Sequence, residues 1–181
     1  MKITKTKFKD LLIFESKIYY DKRGNVREAF KKNLINKSLF LSVVSKSKKN
    51  VIRGLHFQSK KTQDKFISVI KGQILDVVVD LRKSSKTFGK HFKIILSEKK
   101  AKYLFVPKGF AHGFLTLTDD TEVLYKTTNY WNKEAELTLK WDDPNININW
   151  PLSALKQRVN ISEKDRNAFS LDQLKNEYLF L

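Results

Sequence analysis

Residues 66–82 read FISVIKGQILDVVVDLR, and residues 91–118 continue HFKIILSEKKAKYLFVPKGFAHGFLTLT. Apolar residues here either alternate with polar ones or run on for roughly the four to eight positions of a buried strand. β-branched and aromatic side chains dominate the runs, and turn signals separate them at KGQ (Gly72), FGK (Gly89) and PKG (Gly109), where glycine reaches positive φ at little cost. Working outward, strands of this kind succeed one another from about Ser38 to Lys126. Such close spacing predicts a β-sandwich or barrel. Helical patterns occur only at the edges: near Phe30–Asn36, near Ser97–Lys100, and over Ser170–Tyr178, where SLDQLKNE begins at a serine cap.

The 181 residues suit one domain, and 41% hydrophobic residues with thirteen Phe supply enough apolar material for a core. No stretch approaches the roughly 18 to 20 apolar residues of a membrane-spanning helix. MKITKTKFKD at the start has no apolar run or small-residue cleavage site after its charges, so a cytoplasmic protein is expected. The absence of cysteine excludes disulfides, thiolate nucleophiles and Cys-ligated metals, leaving His, Tyr, Lys and carboxylates to carry any chemistry. A net charge of +17 attracts anions. Its lysines are scattered through loops and strand ends, including Lys46, Lys48, Lys49, Lys60, Lys61, Lys99, Lys100 and Lys102, without a nucleic-acid-binding motif. A phosphorylated small molecule would benefit from the same field, and neither nucleic acid nor a membrane is expected as a partner.

Histidine titrates near neutral pH, which makes the three histidines the starting points for chemistry. His56 lies in VIRGLHFQ, where a strand would aim it and Gln58 to one face. His112 lies in VPKGFAHGF, where proline and two glycines shape a turn into a strand. Taken alone, either could be a catalytic group or a hydrogen-bonded structural residue. His91, between Lys90 and Phe92, reads as a surface strand residue.

PKGFAH, residues 107–112, matches the PxGxxH element of cupin barrels. Together with YYDKRGNVREAF (19–30), SKSKKNVIRGLHFQ (45–58), GQILDVVVDLRKSSKTFGK (72–90), VLYKTTNYW (123–131), KWDDPNININWPL (140–152) and ISEKDRNA (161–168), it gives a sequence that resembles the dTDP-4-dehydrorhamnose 3,5-epimerases, the RmlC-type cupins of deoxysugar biosynthesis. The resemblance runs over nearly the whole chain. It implies a mainly β fold, a cupin or jelly-roll barrel with a few short peripheral helices, formed as a single RmlC-like domain over residues 1–181. A metal-binding cupin offers an HxH pair, a Glu and a later His. HFQ stands here instead and Gln58 is a poor ligand, so neither a metal nor another cofactor is expected.

The resemblance also implies roles. Inverting a carbon beside a ketone needs a base, a group to hold the enolate, and an acid on the opposite face. His56 matches the family's base and Asp165 the carboxylate that orients it. Lys65 matches the lysine near the keto oxygen, and Tyr125 the acid. Arg53, His112, Gln58 and Tyr130 are the expected substrate-positioning residues around them. Arg23 and Glu28 match residues that reach the nucleotide, often in the neighbouring subunit of a homodimer.

Asn25 and Val26 replace aromatic residues of the family pattern, and Leu41 and Val43 replace amides. A dTDP-linked 4-keto-6-deoxy sugar is the leading substrate, and GDP- or other NDP-linked sugars, with inversion at C3, C5 or both, are alternatives. A sugar ketoisomerase and a non-catalytic carbohydrate- or nucleic-acid-binding barrel are the other readings.

Overall fold

The computed structural model describes residues 1–152 and 159–177. Its strands, in chain order, are β1 (Lys2–Lys5), β2 (Leu12–Glu15), β3 (Ile18–Asp21), β4 (Gly24–Arg27), β5 (Leu41–Ser47), β6 (Ile52–Gln58), β7 (Lys65–Lys71), β8 (Gln73–Asp80), β9 (His91–Ser97), β10 (Lys102–Val106), β11 (Phe110–Thr116), β12 (Thr121–Thr127) and β13 (Glu136–Thr138). Two short helices follow, α1 (Glu163–Arg166) and α2 (Leu171–Glu177). The strands form a six-stranded sheet, β1-β2-β10-β7-β12-β5, a five-stranded sheet, β13-β6-β11-β8-β9, and a separate β3-β4 hairpin. All named strand pairs are antiparallel.

The two large sheets face each other across a core in which Ile67, Val69 and Val123 of one meet Ile74, Val78 and Phe114 of the other. On the outer face of the five-stranded sheet, Leu75, Val77 and Val79 pack with Trp150, Ile161, Leu171 and Leu174 from the C-terminal segments. Strand β8 is thus covered on both faces, which explains why it reads as a continuous apolar run instead of an alternation. The outer face of the six-stranded sheet carries Phe14, Phe66, Tyr103 and Phe105, covered by Ile35 with Phe30, Leu34 and Leu39.

Two of the three expected helices differ from the sequence reading. Around Phe30–Asn36 only a single 3-10 turn forms, Lys32–Leu34. Phe30, Leu34 and Ile35 all lie against the sheet there, and the turn is flanked by Lys31 and Ile35 in extended backbone conformation, which ends it after three residues. Ser97 completes β9, and residues 98–100 form a turn into β10, closed by Ala101 at φ +44. The third helix forms as α2: Ser170 Oγ accepts the Gln173 N–H at 3.2 Å, and Gln173 Oε1 accepts the Ser170 N–H at 2.8 Å. Tyr178, its expected last residue, lies outside the described residues. α1 was not foreseen, although Ser162 caps it through the Asp165 N–H.

Candidate active site

Strand β6 would normally send alternate residues to opposite faces. Here His112 pairs with His56 while Phe114 pairs with Arg53, so two residues of β11 span three of β6. This bulge, centred on Gly54, turns both Arg53 and His56 into the space between the sheets while Leu55 and Phe57 join the outer core. The Gly54–Leu55 peptide bond is cis.

The resulting cavity has a volume of about 270 Å³. Arg53, His56 and His112 come from the five-stranded sheet. Lys65, Tyr125 and Thr127 come from the central strands of the six-stranded sheet, with Leu41, Val43 and Ser45 from its edge strand β5. A hollow of 500 Å³ between residues 5–12 and 34–37 is larger but contains neither histidine nor tyrosine.

His56 Nε2 stands 2.6 Å from Asp165 Oδ1. The other carboxylate oxygen, Oδ2, accepts the Gly54 N–H at 3.1 Å. Burial opposes ionisation of Asp165, but the bonds from His56 and Gly54, with nearby Lys164, outweigh it and hold the carboxyl below its ordinary range. An ionised Asp165 accepts a hydrogen bond from Nε2–H and leaves Nδ1 of His56 as the basic atom. A second pair lies deeper: His112 Nε2 is 2.9 Å from Oδ2 of Asp76, whose carboxyl burial pushes up against the pull of His112.

Lys65 Nζ donates to the His56 carbonyl at 3.3 Å. Burial pushes its ammonium down to about 8, partly offset by Glu136 and Asp76. Burial also pushes the Tyr125 hydroxyl up, keeping it protonated, with Ser45 Oγ 3.5 Å away. Arg53 is braced by Ser47 Oγ at 2.9 Å and the Lys46 carbonyl at 3.3 Å.

Six of the expected residues, His56, Asp165, Lys65, Tyr125, Arg53 and His112, are therefore gathered at one place. Four are not. Gln58 is buried with its amide turned to backbone: Nε2 donates to the Lys61 carbonyl at 2.8 Å and Oε1 accepts the Asn132 N–H at 2.9 Å. It holds the loop beside the cavity and does not line it. Tyr130 is 68% exposed, and its neighbour Trp131 lines the cavity instead. After β12 ends there is no period to say which of two adjacent rings turns inward. Arg23 pairs with Asp21 in solvent at 2.6 Å, and Glu28 pairs with Lys31 at 3.3 Å and with the N-terminus at 3.6 Å.

The sequence reading also missed Glu136, which pairs with Lys164 and lines the cavity beside Trp131. Burial opposes its charge, and bonds from Lys164 and Trp131 hold it ionised below the usual range. No motif marks it. Among the described residues, no group of three or more His, Asp or Glu is gathered where it could hold a metal ion.

Residues 5–173 match the family model described as dTDP-4-dehydrorhamnose 3,5-epimerase. The chain belongs to the dTDP-4-dehydrorhamnose 3,5-epimerase family. A family member from Methanothermobacter thermautotrophicus is 43% identical over 168 residues, 90% of each chain. One from Shigella flexneri is 41% identical over 174 residues, 92% of this chain and 94% of its own. The crystal structure of dTDP-6-deoxy-D-glucose-3,5-epimerase RmlC from Legionella pneumophila, in complex with dTDP-4-keto-L-rhamnose, superposes with a TM-score of 0.92 at 39% identity. It covers 99% of this chain and 97% of that one. The family member from Bacillus anthracis, with TDP and PPi bound, has a TM-score of 0.87 at 38% identity, covering 93% and 98%. The mainly β, two-sheet architecture is thus the RmlC-type cupin fold.

Proposed function

We propose that this chain inverts the carbons flanking the ketone of a dTDP-linked 4-keto-6-deoxyhexose, giving dTDP-4-dehydro-L-rhamnose. One observation carries the reading: the His56–Asp165 pair stands on one wall of the cavity, and Tyr125 and Lys65 stand on the wall of the facing sheet. A base and an acid on opposed walls suit a reaction that removes a proton from one face of a carbon and returns one to the other.

Nδ1 of His56 takes the proton from the carbon beside the ketone. The C–H electron pair passes into the carbonyl to form an enolate, whose oxygen the Lys65 ammonium holds. As the enolate collapses to the ketone, Tyr125 delivers its hydroxyl proton to the opposite face of the same carbon. Exchange with solvent then restores neutral His56 and the Tyr125 phenol. Asp165 stabilises the imidazolium formed in between. Arg53 faces the anionic diphosphate or the sugar oxygens.

Arg23 and Glu28 stand outside their own chain's cavity, on or beside a hairpin whose Tyr20 and Val26 are 72% and 71% exposed. Those exposed apolar side chains support a homodimer in which the hairpin of one copy completes the site of the other. Among the described residues no helix is long and apolar enough to cross a membrane. We place the enzyme in the cytoplasm, where nucleotide sugars are made.

Incubation in D2O with dTDP-4-keto-6-deoxyglucose, and in parallel with a GDP-linked 4-keto sugar, tests the reading by NMR. Deuterium at both C3 and C5 of the dTDP sugar, with the L-rhamno configuration, is expected. Exchange at one carbon narrows the reaction to a mono-epimerisation, and exchange with neither sugar overturns it.

A further inference from the structure

The bulge in β6 has a counterpart on the neighbouring strand. A Cβ placed on Gly113 of β11 would stand 2.6 Å from the Arg53 carbonyl oxygen, 2.9 Å from Leu55 Cδ2 and 3.1 Å from Gly54 Cα. A Cβ on Gly54 would stand 2.6 Å from Gly113 Cα and 2.7 Å from the His112 carbonyl oxygen. Gly54 also sits at φ +121, so its own backbone requires glycine. Gly113 has no such conformational need. Its missing side chain is required by the backbone facing it.

Several catalytic groups hang from that backbone. Arg53 precedes the bulge and His56 follows it. The Gly54 N–H holds one oxygen of Asp165 while His56 holds the other. The His56 carbonyl accepts from Lys65. A shift of the Gly54 segment would therefore displace the base, its carboxylate and the enolate-binding lysine together.

We propose that Gly113 is a positioning residue for the epimerisation: by leaving room for the Arg53–Gly54 backbone, it sets the alignment of His56, Asp165 and Lys65. The proposal rests on the epimerase reading for its effect on rate, but its geometric half is read without substrate. In the parent protein the His56 Nε2 proton, held against Asp165 at 2.6 Å, should give a low-field proton NMR signal that Asp165→Asn removes.

Gly113→Ala should remain folded by circular dichroism, lose or move that signal, and lower kcat by about a hundredfold, the cost of displacing reacting groups by about 1 Å. Its pH–rate profile should change shape, because the His56–Asp165 pair is altered and not merely the amount of folded enzyme. Leu55→Val trims the side chain that stands 2.9 Å from the added Cβ and leaves the backbone contact as it is. It should melt at a lower temperature yet keep the signal, the pH profile and a kcat within about threefold of the parent.

A folded Gly113→Ala enzyme with the parent's signal and kcat overturns the proposal. So does a Leu55→Val enzyme that loses both, since side-chain packing would then be what aligns the pair. Should Gly113→Ala fail to fold, Leu55→Val decides between these. A parent that keeps the signal but exchanges no deuterium refutes the epimerase reading and not the geometry.

Discussion

The cavity wall and the β3–β4 hairpin carry their polar groups in opposite ways. On the wall, each histidine is tied to a carboxylate that is 3% exposed or less, and the partners come from distant parts of the chain: His56 with Asp165, His112 with Asp76. On the hairpin, Arg23 pairs with Asp21 two residues away, in full solvent. The first arrangement fixes geometry before substrate arrives, at the cost of burying charge. The second leaves a guanidinium free to exchange one partner for another, since water screens an exposed ion pair and little holds it together. Rate should therefore depend on the wall and affinity on the hairpin.

The sharpest break in that contrast is His56→Asn, which removes the proposed base while keeping a side chain near the imidazole's size. Exchange at the sugar carbons should fall by about 10³-fold or more, with circular dichroism and melting nearly unchanged. Asp165→Asn should cost about 10²-fold in kcat with little change in KM, because a neutral amide no longer stabilises the imidazolium.

Lys65 gives the wall a pH signature. Burial lowers its folded-state pKa to about 8 from 10.5, so the ammonium proposed to hold the enolate is present below that pH and lost above it. kcat/KM should decline on the alkaline side of about 8, by about tenfold one unit higher. A pH–rate profile extended to pH 10 checks this, and Lys65→Met should abolish that limb together with most of the rate.

Arg23→Ala on the hairpin should raise KM about three- to tenfold and leave kcat near the parent value, as removal of binding that is equal in ground and transition states requires. Smallest in rate is Gln58→Leu. It strands the Asn132 N–H and the Lys61 and Tyr130 carbonyls, so thermal unfolding should show a loss of about 1–3 kcal/mol while kcat stays within about threefold.

The same contrast marks what could be read from the sequence. The strands between Lys65 and Thr127 announce themselves because two facing sheets impose period two or a continuous apolar run. RGLH and PKGFAH stand out by their histidines beside glycine and proline, but taken alone they left each histidine catalytic or structural, and the family resemblance is what implied their roles. That His56 meets Asp165, 109 residues on, came from resemblance and not from pattern. No local period encodes a pairing of that range. Gln58 shows the limit of strand alternation. It points to the His56 side of β6, but at the strand's end that side meets a loop instead of the cavity. Likewise, nothing in TNYW tells Tyr130 from Trp131, and the β6 bulge that brings Arg53 and His56 to one face became visible only in the pairing with β11.

His56 and Tyr125 are proposed to work on opposite faces of the sugar, and the decisive experiment is Tyr125→Phe in D2O. Deuterium should still enter beside the ketone, as His56 removes a proton and returns a deuteron on one face, while inversion should fall by orders of magnitude. Loss of exchange and inversion in equal measure, or inversion at the parent rate, would contradict it.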